Sequence, residues 1–179
     1  MQEPRNPRGL TRRELLASGV KAGAVLVIGT SFIAHATDSW ALETKALKPE
    51  TMAALVQMAR DIYPHDRVAD KYYAIAVRSH DEKAAEDAEY RALIEDGVAG
   101  LNTLAAAHGA KSYLATGWEA DRVAILREIE GSEFFQAVRG GLVVGLYNQK
   151  EVWPLFGYEG ESFSKGGYLN RGFDDIDWL

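Results

Sequence analysis

The sequence predicts an all-α protein, in which a small helical domain is followed by a long, irregular arm rich in aromatic residues. Apolar residues recur at helical spacing through residues 49–146, and this is the pattern of helices that bury one face. The periodicity disappears after Asn148, where aromatic residues alternate with glycines. That composition suits neither a helix nor a strand. We therefore divide the chain into residues 1–36, a helical domain at 37–147 and an arm at 148–179.

Residues 1–36 have the composition of an export signal. Arg12 and Arg13 lie in a basic segment directly before Leu15 and Leu16, which is typical of a twin-arginine (Tat) signal. That pathway exports proteins that have already folded in the cytoplasm. The alternatives are an ordinary amphipathic N-terminal helix and a retained signal that anchors the protein in the membrane.

The apolar part of this signal, residues 22–36, is shorter than the ~20 apolar residues that a membrane-spanning helix needs. Ala34 and Ala36 form the small-x-small pattern that signal peptidase accepts. We expect cleavage after Ala36, with Ala41 as a second candidate. The predicted location is the periplasm, with membrane association through a complex or through an uncleaved signal.

Composition argues against several kinds of site. The net charge is −6, and an acidic surface repels phosphate backbones, so we expect no nucleic-acid partner. The chain has no cysteine, which excludes iron–sulfur clusters, thiolate zinc sites and covalently attached c-type haem. No phosphate-binding glycine loop or nucleophile elbow is present, and the histidines lack metal-binding spacing. We expect neither a metal nor a cofactor in this chain, and no catalytic residue.

Five segments of the middle region are predicted to be helical. Pro49 opens the first helix although Lys48 replaces the usual Ser or Thr cap; Pro64 ends that helix, and Gly109 stops the third. In chain order, the apolar faces are Met52, Leu55, Val56, Ala59, Ile62 and Tyr63; Tyr72, Ile75 and Ala76 within 71–79; Tyr90, Ile94, Val98, Leu101, Leu104 and Ala105; Ile125, Leu126 and Ile129; Phe135, Val138, Leu142 and Leu146.

Two of these helices have capping signals at their starts. Thr116 and Glu119 have the spacing of a capping box, and Ser132 precedes the last helix as its N-cap. Within that helix, Gly141 and Gly145 lie four residues apart. This spacing permits close backbone approach to another helix, although ordinary packing also explains it.

Two groups of polar residues resemble sites. His65 and Asp66 share a turn and suit proton transfer, unless His65 binds a loop carbonyl while Asp66 caps the next segment. The carboxylates of residues 81–96 lack the loop pattern that calcium requires. We expect them to lie on a solvated helix face, where Asp87 and Arg91 form an i,i+4 pair.

The arm must bury its aromatic rings against its own domain or against a partner. Both possibilities remain open. Its closing segment, DDIDWL at 174–179, can insert a ring and pair its carboxylates with basic groups. The predicted partner-binding residues are Trp153, Pro154, Phe156, Tyr158, Tyr168, Arg171, Phe173, Asp175 and Trp178.

Several strings, taken with the Tat signal, resemble the gluconate 2-dehydrogenase subunit 3 family. They are MARDIYPHD at 58–66, EFF at 133–135, GGL at 140–142, YN at 147–148, EVWPLFGY at 151–158, KGGY at 165–168 and RGFDDIDWL at 171–179. The resemblance implies a non-catalytic small subunit that binds a large FAD-containing subunit of the glucose–methanol–choline type. It also implies that this subunit aids folding or FAD loading and carries the large subunit through the Tat translocase. A cytochrome c subunit would receive the electrons.

Two other functions remain open. One is a self-sufficient enzyme, for instance a hydrolase that uses His65 and Asp66. The other is a stand-alone periplasmic protein that binds a sugar or another small ligand, with the arm closing over it.

Overall fold

The structure is a computed structural model that describes the backbone of residues 25–28, 31–34, 41–170 and 173, and the side chains of residues 43–170 and 173. Its helices are α1 Pro49–Ile62, α2 Asp70–Glu86, α3 Ala88–Ala107, α4 Glu119–Glu128 and α5 Glu133–Tyr147. Two short 3₁₀ helices follow in the arm, Trp153–Phe156 and Phe163–Lys165. The prediction of a small all-α domain with an irregular arm is confirmed.

Three short strands precede the helices. They are β1 Val25–Ile28, β2 Ser31–Ala34 and β3 Ala41–Glu43, paired antiparallel in the order β1-β2-β3. Ala34 of the predicted cleavage site ends β2, and Ala41 begins β3. The export residues Arg12, Arg13, Leu15 and Leu16 lie outside the described residues, as does Ala36.

Helix α1 forms the centre of the domain. Its neighbours are α2, α3, α4 and α5, and because partners lie on several sides, most of its side chains are buried, including the polar Thr51 and Asp61. The predicted face of Met52, Leu55, Val56 and Ala59 is buried, and the helix ends at Ile62, just before Pro64.

Helices α2 and α5 pack closely along their lengths. A Cβ atom built at Gly145 would lie 2.8 Å from the carbonyl oxygen of Ala76, and one built at Gly141 would lie 2.8 Å from Cε1 of His80. Such distances are not found for real Cβ atoms, so only glycine permits this packing. The close approach that the glycine spacing suggested is present.

The boundary between α2 and α3 differs from the prediction. Helix α2 continues past Ser79 to Glu86, buries Tyr73 and Val77, and leaves Ile75 47% exposed. The predicted inner face was wrong at Ile75, whereas Ala76 is buried as predicted. The buried stripe also contains the polar side chains of His80 and Asp81. Hydrophobic periodicity assigns such residues to solvent.

Asp87 separates the two helices and does not pair with Arg91 among the described ion pairs. Its carboxylate accepts hydrogen bonds of 3.0 Å from the backbone N–H groups of Glu89 and Tyr90. It is the N-cap of α3, a role that aspartate fills well because the first N–H groups of a helix lack partners. Further along, the predicted inner face of α3 is confirmed for Ile94 and Val98.

The other predicted caps had different outcomes. Ser132 caps α5 as predicted, accepting from Phe135 N at 3.2 Å, and Gly109 follows the end of α3 with φ of 83°. The capping box was wrong, because α4 begins with Trp118 at its N-cap and without a side-chain cap. Thr116 instead donates its hydroxyl to the carbonyl of Ser112.

Helix α1 gains its cap from another helix. Lys48 provides no side-chain cap, but Glu95 of α3 accepts from the Lys48 backbone N–H and from the Thr51 hydroxyl, each at 2.8 Å. The sequence window around α1 could not reveal this, because Glu95 lies far along the chain.

Candidate functional site

The arm begins by folding back onto the domain around Tyr147. The Tyr147 hydroxyl lies 2.7 Å from Nε2 of His65, and Trp153 donates its indole N–H to the Tyr147 carbonyl at 2.8 Å. The ring of Phe156 packs edge-on against His65, with centroids 4.9 Å apart. The first part of the arm therefore covers its own domain, which answers one of the questions that the sequence left open.

This packed part extends to Gly160. Val152 is fully buried, and Tyr158 packs edge-on against Trp153 at 5.2 Å. Gly160 has φ of 98° and lies under the Trp153 ring, where a Cβ would be 3.4 Å from the indole. We refer to residues 148–160 as the anchored segment.

Residues 161–173, the distal segment, have the opposite character. Phe163 is 94% exposed, Leu169 85%, Phe173 78% and Tyr168 57%. The described hydrogen bonds of this segment are local, as between the Ser164 hydroxyl and a nearby carbonyl. Four exposed large apolar side chains within 11 residues are the kind of surface that marks interaction sites when such residues adjoin.

The exposed apolar surface also includes part of α5. Val143 is 50% and Val144 is 65% exposed. Both lie about one helical turn before Tyr147, and residues three or four apart are neighbours on a helix surface. The outer face of α5 thus leads directly to the anchored segment.

The predicted partner-binding residues are divided between these segments. Trp153 is half-buried, Pro154 is exposed, and Phe156 and Tyr158 are each nearly half exposed while they contact the domain. Tyr168 and Phe173 belong to the distal segment. The remaining three, Arg171, Asp175 and Trp178, lie outside the described residues.

His65 and Asp66 do not form an acid–base pair in the described structure. His65 pairs with the Tyr147 hydroxyl, and Asp66 is exposed. Burial, with the nearby charge of Arg60, lowers the pKa of His65. The structural interpretation of this histidine fits better, although its partner is a tyrosine hydroxyl rather than a loop carbonyl.

The most extensive buried polar network is centred on Asp61. Arg122 binds its two oxygens with Nε at 2.7 Å and Nη2 at 2.9 Å, and the Tyr113 hydroxyl donates to it at 2.6 Å. Gln57 adds a bond of 3.1 Å. Burial, followed by the charge of Asp61, raises the pKa of Tyr113 well above its usual value. Since both carboxylate oxygens already have two partners, this network is structural.

Asp81 contradicts the expectation of a solvated carboxylate face. It is 2% exposed and accepts hydrogen bonds of 2.7, 3.0 and 2.8 Å from the backbone N–H groups of Lys45, Ala46 and Leu47. A carboxylate holding three N–H groups fixes the chain as it enters α1. The sequence carries no local signal for such a contact, because the partners are backbone groups on a distant segment.

His80 is the second buried histidine, with 4% of its surface exposed. Its Nδ1 lies 2.6 Å from the Tyr90 hydroxyl, and its Nε2, which faces Gly141, has no hydrogen-bond partner. Burial, with a smaller contribution from the charge of Lys83, lowers the pKa of His80 to about 4. The ring is therefore neutral at neutral pH.

A cleft of about 580 Å³ lies between α4 and α5 and reaches the end of α1. Its apolar residues include Ile62, Leu126 and Phe135, and its charged residues include the exposed Arg127 and Arg139. Periodicity within one helix could not predict this α4–α5 cleft, because its residues come from three helices.

Among residues with described side chains, no three His, Asp or Glu side chains are grouped so that they could hold a metal ion. None of the described helices combines the length and apolar character needed to cross a membrane.

The chain matches no protein-family model, and comparisons with curated proteins and with solved structures found no significant match either.

Proposed function

We propose that this chain is the non-catalytic small subunit of a periplasmic FAD-dependent alcohol or sugar dehydrogenase complex. The observation that carries the proposal is the distal segment, where Phe163, Leu169 and Phe173 are each more than three-quarters exposed. Burying these side chains against a large subunit would remove apolar surface from water, which is the main favourable term in most protein association.

The packing around Tyr147 supports the same proposal. The strings that carry the family resemblance at 58–66, 147–148 and 151–158 are far apart in sequence, yet they meet where His65, Tyr147 and Phe156 are in contact. The cluster holds the anchored segment on a rigid domain. It thereby fixes the point from which the distal segment leaves the domain, and a fixed starting geometry reduces the entropy lost on binding.

In this proposal the FAD and the catalytic residues belong to the large subunit, and a cytochrome c subunit accepts the electrons. The small subunit aids folding or FAD loading of the large subunit before export. The Tat signal at Arg12 and Arg13 then carries the folded pair into the periplasm, where the complex, or an uncleaved signal, holds it at the membrane. Arg171, Asp175 and Trp178 extend the proposed docking surface.

To test docking, the tagged chain is co-expressed with the large subunit, and the flavin spectrum of the material purified from the periplasm is measured. Combined Phe163→Ser, Leu169→Ser and Phe173→Ser changes should reduce the flavin recovered at least tenfold. Trp118→Ser is a matched control, since Trp118 is 78% exposed but lies outside the arm. Unchanged flavin recovery with the triple variant would refute docking through the distal segment.

Export is tested separately in the same cells. Arg12→Lys with Arg13→Lys should leave both this chain and the large subunit in the cytoplasm, whereas Arg5→Lys with Arg8→Lys should export both. Export of the large subunit despite the first pair of changes contradicts the proposed carrier role. The alternative, a stand-alone sugar-binding protein, predicts saturable changes in tryptophan fluorescence when the isolated chain is titrated with sugars.

A further inference from the structure

The α4–α5 cleft combines positive charge with apolar surface in a chain whose net charge is −6. Arg127 and Arg139 line it from two different helices, and both side chains are exposed. Neither arginine takes part in an ion pair within the described part of the chain. Two cations beside an apolar surface suit an occupant that carries both carboxylates and an apolar group.

The other charged groups of the cleft do not cancel this character. The charge of Asp61 is compensated by the bidentate contact with Arg122. Glu130 is the remaining acidic residue of the lining, so the two arginines leave a net charge of +1 once Asp61 is matched by Arg122. The cleft, at about 580 Å³, has the volume of sites that bind ligands, roughly 300–1,000 Å³.

One segment of this chain has the complementary composition. Residues 174–179, with the sequence DDIDWL, carry three carboxylates together with an indole and two branched aliphatic side chains. We propose that this closing segment docks in the α4–α5 cleft of its own chain, with carboxylates on Arg127 and Arg139 and the Trp178 ring against Leu126 and Phe135.

The chain between the domain and the closing segment is long enough for this contact. Gly160 is held under Trp153, beside the C-terminal end of α5, whereas Phe135 and Arg139 lie towards the N-terminal end of that helix. The whole 15-residue helix is only about 22 Å long at 1.5 Å per residue. Residues 161–170 form turns and a 3₁₀ helix, so the reach comes from the nine residues 171–179, which span up to about 30 Å when extended.

This docking does not depend on the proposed function, because it involves one chain only. It adds a consequence to it, however. A partner that binds Trp178 must first displace the closing segment from the cleft, so the free subunit would shield one of its own docking residues until a partner competes for it.

The test uses the full chain and the absence of native cysteine. Leu179→Cys is combined with Gln136→Cys in the cleft, and the rate of intramolecular cross-linking by a short bis-maleimide is measured. The matched control places the second cysteine at Arg78, an exposed residue of α2 outside the cleft lining. We expect at least tenfold faster cross-linking for the cleft pair than for the control pair.

Charge reversal separates docking from chance proximity. Arg127→Glu with Arg139→Glu should abolish the rate advantage, and adding Asp174→Arg, Asp175→Arg and Asp177→Arg to that variant should restore it. Equal rates for the cleft and control pairs, no effect of the arginine changes, or failure of the charge swap to restore the rate would each overturn the proposal. Cross-linked dimers in place of cross-linked monomers would assign the cleft to a second copy and overturn it as well.

Discussion

The helical domain and the distal segment differ in how far their side chains are buried and paired. In the domain, the Asp61 carboxylate is matched by Arg122 and Tyr113, and Gly145 allows the backbones of α2 and α5 to touch. In the distal segment, Phe163 and its apolar neighbours extend into solvent. The domain thus buries most of its large apolar side chains, whereas those of the distal segment remain exposed. Changes in the two regions should consequently affect different measurements.

The largest expected effect is a pH dependence of domain stability caused by His80. Its pKa is about 4 when folded and about 6.5 when unfolded. Between these values the unfolded chain binds the proton and the folded chain does not, so the free energy of unfolding falls as the pH falls. We expect this contribution to decrease by about 2 kcal/mol from pH 7 to pH 5, out of about 3 kcal/mol over the whole range.

Urea denaturation at pH 7 and pH 5 measures this effect, with His80→Gln as the comparison. The variant should lose most of the pH dependence, leaving a smaller part from His65, whose pKa is also lowered. An equal pH dependence in both proteins would mean that His80 is not buried as a neutral ring.

The next effect concerns the contact between α2 and α5. Gly145→Ala introduces a Cβ that would lie 2.8 Å from the Ala76 carbonyl oxygen, and overpacking of this kind typically lowers the free energy of unfolding by about 1–3 kcal/mol. Gly140→Ala, in the same helix, meets no atom within 4 Å. That change should raise stability by up to ~1 kcal/mol, because alanine favours helix more than glycine does.

The two alanine variants are compared by the midpoints of urea unfolding at an unchanged m-value. Opposite shifts are expected from the same substitution in one helix. If both variants gain stability, the backbones of α2 and α5 are not in contact, and the domain is less closely packed than the structure shows.

The sequence predicted what depends on local pattern. The inner face of α3, the cap at Ser132 and the stop at Gly109 follow from periodicity and from groups adjacent in the chain. The pairing of Gly145 with α2 was visible as a possibility. The sequence pattern of one helix does not show which helix lies opposite, so the contact of Gly145 with α2 could not be predicted.

Some of the errors came from polar groups whose partners are remote. Asp81 and His80 lie in a strongly charged stretch, yet both are buried, because backbone N–H groups bind the Asp81 carboxylate and the Tyr90 hydroxyl pairs with Nδ1 of His80. The same applies to Glu95, which caps a helix on another part of the chain. The anchored segment was ambiguous for a related reason, since its rings pack against His65 and Tyr147 rather than against each other alone.

The smallest expected effect on stability comes from changes at Phe156 and Phe163, and it tests the difference between the anchored and the distal segment directly. Phe156 and Phe163 are both exposed rings of the arm, but Phe156 contacts His65 and Tyr147 whereas Phe163 is 94% exposed. Phe156→Ser should lower the free energy of unfolding by about 1 kcal/mol, the usual scale of aromatic pairs. Phe163→Ser should change it by less than about 0.5 kcal/mol, as surface substitutions do.

Both variants are measured by urea denaturation of the isolated chain and by flavin recovery in the co-expressed complex. If the distal segment serves a partner, Phe163→Ser leaves unfolding unchanged and still lowers flavin recovery, so stability and recovery are affected independently. Phe156→Ser lowers both, because it loosens the segment that positions the rest of the arm. A loss of stability in Phe163→Ser equal to that in Phe156→Ser would place the Phe163 ring against the domain. The division between an anchored and a distal segment would then be wrong.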